Sequence, residues 1–360
     1  MRIVALDKES KQSILNDLLK RSPNNYSQYE STVNQIIEKV RAEGDKALFD
    51  YTLQFDKFAL SAENIRVTKE EIAEAYAQMD ENLIDVIRQS AENIRAFHQK
   101  QLRNSWFDAK PDGTILGMKI TAIERAGVYV PGGKAAYPSS VLMNVIPAKV
   151  AGVDEIIMTT PPGKDGKVNP GTLVAADIAG VDTIYKVGGA QAIAAMAFGT
   201  QSVPKVDKIT GPGNIFVALA KKAVYGYVSI DSIAGPSEIL VLADETANPR
   251  YVAADLLSQA EHDEMASAIL ITTSQKLAEE VSAEIDQFVV ELSRKEIIQK
   301  SLDNYGYILV ADNMEEAIDT VNAIASEHME IVTADPFHVM TKIRNAGAIS
   351  VSYTHLRAHE

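Results

Sequence analysis

The sequence predicts an α/β protein of two domains, each with a parallel sheet, preceded by N-terminal helices. From Ile123 onward, short β-rich runs alternate with helical runs. This strand–turn–helix rhythm is typical of a parallel sheet that carries helices on its faces. A second series of the same kind begins after Gly235-Pro236-Ser237. With 360 residues, the chain has room for two such domains and a sizeable core.

The region up to about Leu102 is predicted to be helical, with largely polar outer faces. Thr68 suits the N-cap of a helix, and Glu71 three residues later completes a capping box. The stretch from Thr68 to about Gln101 contains no proline or glycine, so it predicts either one long helix or a helix pair.

The later elements follow from apolar runs and the turn residues between them. The predicted strands are 127–130, 155–160, 183–187, 208–210, 239–243, 268–272, 307–311 and 330–333. The predicted helices are 139–151, 173–179, 190–198, one from about 215 to 224, one from 249 to about 262, 276–295 and 314–326.

Composition limits the classes of function. Apolar residues make up 46% of the chain and charged residues 23%, as in an ordinary globular protein. The formal net charge of −14 argues against nucleic acid or an anionic membrane surface as the partner. The short, charged N-terminus does not suit a signal peptide, and no apolar run approaches the roughly 20 residues that cross a bilayer. We therefore expect a cytoplasmic protein.

Two glycine turns are candidates for contact with a phosphate. Gly188-Gly189 and Gly211-Pro212-Gly213 each lie between a predicted strand and a helix start, where free backbone N–H groups attract anions. Neither turn matches the six-residue dinucleotide fingerprint. Gln191 and Asn214 follow these turns. Each is either a helix-start amide or a hydrogen-bonding group for a nucleotide.

The helix that ends near residue 262 carries a candidate metal pair. Asn248 suits its N-cap and Pro249 its first turn. Gln259 and His262 are three residues apart, so we expect both side chains on one side of the last turn. An amide oxygen and a neutral imidazole there can bind a zinc-like ion. The alternative is a solvated helix end.

Glu327 and His328 form a candidate acid–base pair. They are predicted to close the helix that runs to about 326, and they offer a carboxylate beside an imidazole for base and water chemistry. The alternative is a charged helix terminus. Ser237 is either a turn residue or a ligand contact, and no pattern marks it as a nucleophile. We expect the Gln259–His262 and Glu327–His328 pairs to face a shared cleft.

Six collinear blocks of this chain resemble the histidinol dehydrogenase family, in a match that runs from the N-terminal helices to about Ile349. The blocks are Arg125-Ala126-Gly127-Val128-Tyr129-Val130-Pro131-Gly132-Gly133, Val187-Gly188-Gly189-Ala190-Gln191-Ala192, Thr210-Gly211-Pro212-Gly213-Asn214, Ile230-Asp231-Ser232-Ile233-Ala234-Gly235-Pro236-Ser237-Glu238, Ser258-Gln259-Ala260-Glu261-His262-Asp263 and Ser326-Glu327-His328. The resemblance implies oxidation of L-histidinol to L-histidine through L-histidinaldehyde, the last step of histidine biosynthesis. The family uses two NAD⁺ and a bound zinc.

The resemblance also implies roles for individual residues. NAD would contact Tyr129, Gln191 and Asn214. Zinc would be bound by Gln259 and His262, and the substrate would be held by four residues, namely Ser237, Gln259, His262 and His328. Glu327 and His328 would be the catalytic acid–base pair. An ordinary aldehyde dehydrogenase acts through a cysteine, and this chain has none. Attack by water with a carboxylate base is therefore the remaining route to the acid.

The resemblance implies two Rossmann-like, aldehyde-dehydrogenase-like domains in a homodimer. We expect an N-terminal arm at 1–20, a discontinuous first domain at 21–128 plus 238–350, an NAD-contacting second domain at 129–237, and a tail outside the family at 351–360. Beyond the position of Ile349, the family carries two further zinc ligands, an aspartate and a histidine, and a glutamate that binds the substrate. The sequence at 350–360 does not resemble that part of the family. His355 and His359 are either a replacement metal pair or part of a frayed terminus.

Three classes of function therefore stay open. The first is a histidinol-oxidising enzyme that binds zinc weakly and turns over slowly, because recognised ligands are missing. The second is a zinc-dependent hydrolase, since Gln259, His262 and Glu327 can polarise a carbonyl and activate water. The third is a catalytically dead protein that still binds NAD.

Overall fold

A computed structural model describes residues 1–19, 27–132, 138–233 and 235–351. The chain divides into two compact units. Unit 1 combines the N-terminal residues up to 25 with the chain from 235 onward, and unit 2 runs from 26 to 234. Each unit is built on a parallel sheet, which confirms the predicted fold class.

The helices and strands alternate along most of the chain. The helices are α1 Lys8–Leu19, α2 Ser27–Glu43, α3 Asp45–Asp56, α4 Lys69–Gln78, α5 Glu81–Gln99, α6 Pro138–Val150, α7 Pro170–Ala179, α8 Gly189–Phe198, α9 Ile215–Val224, α10 Pro249–Ala260, α11 Gln275–Glu291, α12 Lys295–Tyr305, α13 Met314–Ile324 and α14 Pro336–Met340. The strands are β1 Arg2–Ala5, β2 Trp106–Ala109, β3 Ile115–Met118, β4 Arg125–Tyr129, β5 Glu155–Thr159, β6 Thr183–Tyr185, β7 Lys208–Thr210, β8 Ser229–Ile230, β9 Glu238–Ala243, β10 Ser267–Thr272, β11 Gly306–Val310, β12 His328–Val332 and β13 Ala348–Val351.

The sheet of unit 2 has the strand order β6-β5-β4-β7-β8, and all of its pairs are parallel. The chain starts at the central strand β4, moves outward through β5 and β6, and then crosses to the other side of β4. Both faces of the sheet are covered. Helices α5, α6 and α7 contribute to one apolar cluster, while α2, α3, α8 and α9 contribute to the other.

The sheet of unit 1 has the strand order β1-β11-β10-β9-β12-β13, again with parallel pairs throughout. It repeats the same crossing, because β9, β10 and β11 run outward before β12 and β13 return on the other side of β9. Helices α10, α11 and α12 share one apolar cluster with the sheet, and α1, α13 and α14 share the other. The central strands β9 and β10 are almost wholly buried, as expected of a parallel sheet between two helical layers.

The predicted stretch from Thr68 to Gln101 is a helix pair. The capping box between Thr68 and Glu71 is confirmed at the start of α4. The break between the helices comes at Asp80, whose carboxylate accepts hydrogen bonds from the backbone N–H groups of Asn82 and Leu83 and so begins α5. The predicted helix 276–295 is also divided, since α11 ends at Glu291 and α12 begins at Lys295.

The predicted division into domains differs from the structure. Residues 26–128 belong to unit 2 rather than to the unit that contains 238–350. The reason is packing, because apolar residues of α2, α3 and α5 join the two clusters that cover the sheet of unit 2. The predicted N-terminal arm also differs, since β1 is an edge strand of the sheet of unit 1. In the predicted tail 351–360, Val351 ends β13 and residues 352–360, including His355 and His359, lie outside the described residues.

The predicted helix end at Glu327–His328 is wrong. Helix α13 stops at Ile324, and Ala325 takes a left-handed conformation with φ of 55° that turns the chain out of the helix. His328 is instead the first residue of β12. Across the described ranges of the chain, none of the helices is both long and apolar enough to cross a bilayer.

Candidate functional site

Unit 2 contains a cavity of about 910 Å³ at the carboxyl ends of its strands. The loops after β4, β5, β6 and β7 all contribute to its lining, and residues of α2 and α3 complete it. The crossing from β4 to β7 makes this edge the topological switch point of the sheet. Open α/β sheets bind their ligands at such a point, outside the carboxyl ends of the strands.

Tyr129, Gln191 and Asn214 all line this cavity, although they lie on three separate elements, at the end of β4, in the first turn of α8 and just before α9. Tyr129 ends β4 and is buried, and its hydroxyl oxygen accepts a hydrogen bond from the backbone N–H of Gly189 at 3.1 Å. Burial is the main reason that the pKa of Tyr129 rises to about 12, and the negative charge of Asp56 adds to the increase. The phenol is therefore protonated at neutral pH, and it joins the loop after β4 to the start of α8.

Gln191 lies in the first turn of α8 with only 1% of its surface exposed. Its Oε1 atom is buried, and no donor within the described part of the chain bonds to it. Buried acceptors normally have a hydrogen-bond partner, so this oxygen points to a donor on a ligand. Gly189 allows the close approach, because its φ is 66° and a Cβ atom there would lie 2.7 Å from Oε1 of Gln191.

Asn214 has a structural task as well as a place in the cavity. It is the N-cap of α9, and its Oδ1 atom accepts hydrogen bonds from the backbone N–H groups of Phe216 at 3.0 Å and Val217 at 3.2 Å. Its oxygen is therefore committed to the helix. Asn214 is therefore a helix-start amide, and its predicted hydrogen bond to a nucleotide stays a prediction.

The candidate acid–base pair lies at the amino ends of the strands of unit 1. In the parallel pairing of β9 with β12, Ile239 stands opposite His328, so Ser237 and Glu238 enter the sheet beside Glu327. The backbone N–H of Glu327 donates to the carboxylate of Glu238 at 3.3 Å. The crossing in this sheet thus brings the residues before β9 and β12 together.

Gln259 and His262 stand at the other end of the helix that follows β9. Gln259 is buried in the last turn of α10, whereas His262 is exposed in the turn beyond the helix end, and its N–H donates to the Gln259 carbonyl at 3.1 Å. The expectation that both lie within the last helical turn is therefore only half right. The turn leads directly into Ser267, whose N–H donates to the Ser237 carbonyl at 3.0 Å. The metal pair and the acid–base pair consequently belong to the same edge of one sheet.

This edge does not form a complete metal site from the described residues. Within the ranges that the structure describes, no group of three or more His, Cys, Asp or Glu side chains is placed to hold an ion. A zinc site in a protein needs three or four protein ligands. Gln259 and His262 thus supply at most two of the ligands that a zinc ion needs, and the described residues do not complete the set.

A family model, sequence relatives and a solved structure all relate this chain to the same family. The family model for histidinol dehydrogenase matches residues 19–358. The chain belongs to the histidinol dehydrogenase family. The histidinol dehydrogenase of Halalkalibacterium halodurans is 59% identical over 320 residues, which are 89% of this chain and 75% of the relative. That of Caldanaerobacter subterraneus subsp. tengcongensis is 54% identical over 342 residues, 95% of this chain and 79% of the relative.

A solved structure agrees with the fold. The crystal structure of histidinol dehydrogenase from Elizabethkingia anophelis superposes with a TM-score of 0.92 at 37% identity, and the match covers 98% of this chain and 80% of the other. Membership of the histidinol dehydrogenase family identifies the chain as an oxidoreductase that acts on a small molecule. The family match extends to residue 358, so it includes most of the segment that the sequence predicts to lie outside the family.

Two residues that support the cavity have no predicted role. Lys221 of α9 is buried, donates to the carbonyl of Gly211 at 2.9 Å and forms an ion pair with Asp231. Asp231 in turn accepts a hydrogen bond from the N–H of Gly211 at 2.8 Å. Gly211 has φ of 116°, and a Cβ atom there would clash with the carbonyl oxygen of Tyr129. The ion pair therefore holds both polar groups of the glycine that leads to Asn214.

The backbone of Glu327 is held in a similar way. Its carbonyl accepts a hydrogen bond from the N–H of Ala348 at 2.8 Å. A Cβ atom on Gly347 would lie 2.6 Å from the same carbonyl oxygen, so this approach requires glycine. Neither Gly347 nor Lys221 lies in the six blocks that resemble the histidinol dehydrogenase family.

We expect Lys221→Met to destabilise unit 2 by about 3 kcal/mol, because it leaves the Gly211 carbonyl and the Asp231 carboxylate without their buried cation. Urea unfolding followed by far-UV circular dichroism measures this change. The matched control is Lys222→Met, which removes an exposed ammonium paired with Glu30 and is expected to change stability by less than about 1 kcal/mol. Equal stability of the two variants would contradict the assignment.

We expect Asp56→Asn to stabilise the protein at alkaline pH. Burial raises the pKa of Asp56 from its ordinary 3.8 to about 6, so the folded state resists ionisation that the unfolded chain undergoes near pH 4. Wild-type stability therefore falls between about pH 4 and pH 6 and stays lower above that range. Because Asp56 is only partly buried, we expect a gain of about 1 kcal/mol for the variant at pH 8.

Urea titrations at pH 4.5 and pH 8 measure this effect. The gain of Asp56→Asn over wild type is expected to be larger at pH 8. Asp50→Asn, which changes an exposed carboxylate on the same helix, serves as the control and is expected to give little difference at either pH. A gain that is the same at both pH values would show that ionisation of Asp56 is not its cause.

Proposed function

We propose that this chain oxidises L-histidinol to L-histidine through L-histidinaldehyde, with NAD⁺ as hydride acceptor, as the last step of histidine biosynthesis. One observation carries the nucleotide part of the proposal. Tyr129, Gln191 and Asn214, which the family resemblance assigns to NAD, lie on three separate elements and line one cavity at the switch point of unit 2. Membership of the family supports the choice of substrate.

The residues of the cavity fit a dinucleotide. The buried Oε1 atom of Gln191 offers an acceptor to an N–H or O–H group, and the start of α8 brings a helix N-terminus that favours a phosphate. When NAD⁺ is bound, it supplies the electrophilic ring carbon that takes the hydride. The task of unit 2 is to hold and orient that cofactor.

The proton chemistry falls to the edge of unit 1. We propose that the imidazole of His328 accepts the proton of the substrate alcohol as the hydride leaves. In the second oxidation, the carboxylate of Glu327 acts as the base that activates water for attack on the aldehyde. Because the chain has no cysteine, the acid forms through a hydrate rather than a thioester. The hydrogen bond from the Glu327 N–H to Glu238 fixes the backbone that carries both groups.

We propose that Gln259 and His262 are two ligands of a zinc ion and that they also contact the substrate together with Ser237 and His328. The described residues do not complete the coordination, so the steps above are assigned to the side chains of the chain alone. A zinc-dependent hydrolase would need this ion for its chemistry. The cavity in unit 2 favours the nucleotide-using reaction over that alternative.

We also propose that the protein is a cytoplasmic homodimer. The antiparallel hairpin of β2 and β3 supports an interface, because every residue of its strands is exposed, including Trp106, Phe107 and Ile115. A two-stranded hairpin in water is at best marginally stable. Apolar side chains on such a hairpin are typical of a surface that another chain covers.

We expect Glu327→Gln and His328→Gln to lower the rate of NADH formation from L-histidinol by about 10² to 10⁴, because each removes a positioned acid–base group. Absorbance of NADH under single-turnover conditions, with enzyme in excess, measures even a slow reaction. The affinity for NAD⁺ is expected to stay at the wild-type value, since its cavity lies in unit 2.

Glu245→Gln, an exposed carboxylate of the same unit, is the control and is expected to react like the wild type. L-histidinaldehyde as substrate separates the two roles, because Glu327→Gln is expected to slow aldehyde oxidation more than alcohol oxidation. Wild-type rates in both variants would remove the pair from the mechanism. NAD⁺ binding without any NADH from the wild type would favour a dead binding protein.

We expect the purified chain to hold zinc weakly, with a Kd in the micromolar range or above and less than one ion per chain after dialysis. The two candidate donors among the described residues fill only half of a tetrahedral site. Competition with a zinc-binding dye and elemental analysis measure both quantities. His262→Ala should weaken the remaining binding, whereas His338→Ala on α14 should not. One tightly held zinc that does not depend on His262 would exclude this pair as ligands.

A further inference from the structure

The cavity of unit 2 contains a second buried acceptor for which neither the sequence nor the family suggests a role. Asp56 is the last residue of α3, which ends there because Lys57 adopts a left-handed conformation with φ of 61°. Its side chain lines the same cavity as Tyr129 and Gln191. The Oδ2 atom of Asp56 is buried, and the described residues supply no hydrogen-bond donor to it.

A buried carboxylate oxygen without a donor is costly to a protein. Buried polar groups are nearly always paired, and an unpaired charge in a partly dry site is disfavoured more strongly than a neutral group. Burial accordingly raises the pKa of Asp56 to about 6, so the carboxylate forms at neutral pH only against this penalty. Such a group in a cavity is a candidate for direct contact with a ligand.

The two unpaired oxygens define the chemistry of what they bind. Oδ2 of Asp56 and Oε1 of Gln191 are both acceptors, so the ligand must present donors to them. A ribose carries vicinal hydroxyl groups, which donate readily to a carboxylate. Acidic side chains accept hydrogen bonds from ribose hydroxyls in many dinucleotide-binding folds, although there the residue follows a strand of the sheet.

The charges around the cavity divide in a way that suits a dinucleotide. The loop after β5 contributes the cations Lys164 and Lys167, and the ammonium of Lys167 also pairs with Glu74 at 2.6 Å. Asp56 brings the negative charge from a different element, α3. Phosphates are attracted to the lysines and to the helix start. The uncharged sugar is the part of a nucleotide whose hydroxyl groups donate hydrogen bonds to a carboxylate.

We propose that Asp56 is the residue that binds a ribose of the nucleotide in unit 2, with its carboxylate accepting a hydrogen bond from a ribose hydroxyl group. This inference rests on the proposed use of NAD⁺. It adds a specificity-determining residue that lies outside the six blocks quoted from the sequence. It also accounts for an acidic side chain that, as a structural group alone, lowers the stability of the fold.

Isothermal titration of the full chain with NAD⁺ at pH 8 tests the proposal. Asp56→Asn is expected to raise the Kd for NAD⁺ about tenfold or more, because it removes a charge-assisted hydrogen bond. Asp50→Asn changes the same charge on the same helix outside the cavity, and it is expected to bind like the wild type. Asp56→Asn is expected to be at least as stable as the wild type at pH 8, so weaker binding of NAD⁺ by this variant will not reflect unfolding.

Two analogues of NAD⁺, each lacking the 2′-hydroxyl of one ribose, identify the contact. For one of them the wild type is expected to lose about tenfold in affinity, and Asp56→Asn is expected to cause no further loss. Equal NAD⁺ affinities of wild type and Asp56→Asn would overturn the proposal, as would an equal loss on both analogues. A wild-type chain that shows no binding of NAD⁺ would instead overturn the proposed function itself.

Discussion

Both candidate sites depend on the way the chain crosses its parallel sheets. The sheet of unit 2 begins at its central strand β4, and in unit 1 the chain follows the same course from β9 onward: it moves outward from the central strand and then returns to the other side of that strand. The two strands on either side of the crossing therefore lie next to each other in the sheet, although no loop joins one directly to the other. In unit 2 this brings the end of β4 beside the end of β7, and in unit 1 it brings the start of β9 beside the start of β12. Because the paired strands run parallel, their corresponding ends lie at the same edge of the sheet.

The two units use opposite edges of otherwise similar sheets. The cavity of unit 2 lies at the carboxyl edge, where helix N-termini border it and favour anionic groups. The acid–base edge of unit 1 lies at the amino ends, where the helices end rather than begin. The partial negative charge of a helix C-terminus disfavours phosphate and suits cations. The proposed division between an anionic cofactor in unit 2 and a cationic metal in unit 1 agrees with these dipoles.

The periodic features of the sequence predicted the fold well, and the features set by tertiary packing escaped prediction. Apolar runs predicted most strands of both sheets, because burial on two faces leaves long apolar stretches, but they predicted none of the edge strands β1, β8 and β13. Which unit contains residues 26–128 depends on which sheet their helices cover, and no local sequence pattern indicates this. The sequence does not mark the end of α13 and the start of β12, because the left-handed Ala325 is neither glycine nor proline. Tyr129, Gln191 and Asn214 were found through family blocks, and the structure placed them together.

Three polar side chains of unit 2 that carry buried atoms show how structural and ligand-binding roles differ. Lys221 is buried in an otherwise apolar helix face, and its ammonium has both a carbonyl and a carboxylate as partners. A satisfied group of this kind fixes a loop. Gln191 and Asp56 each present an oxygen that the described residues leave without a donor, and both face the same cavity. Because a fold gains nothing from such oxygens, both agree with the proposed ligand, which would supply the hydrogen-bond donors that they lack.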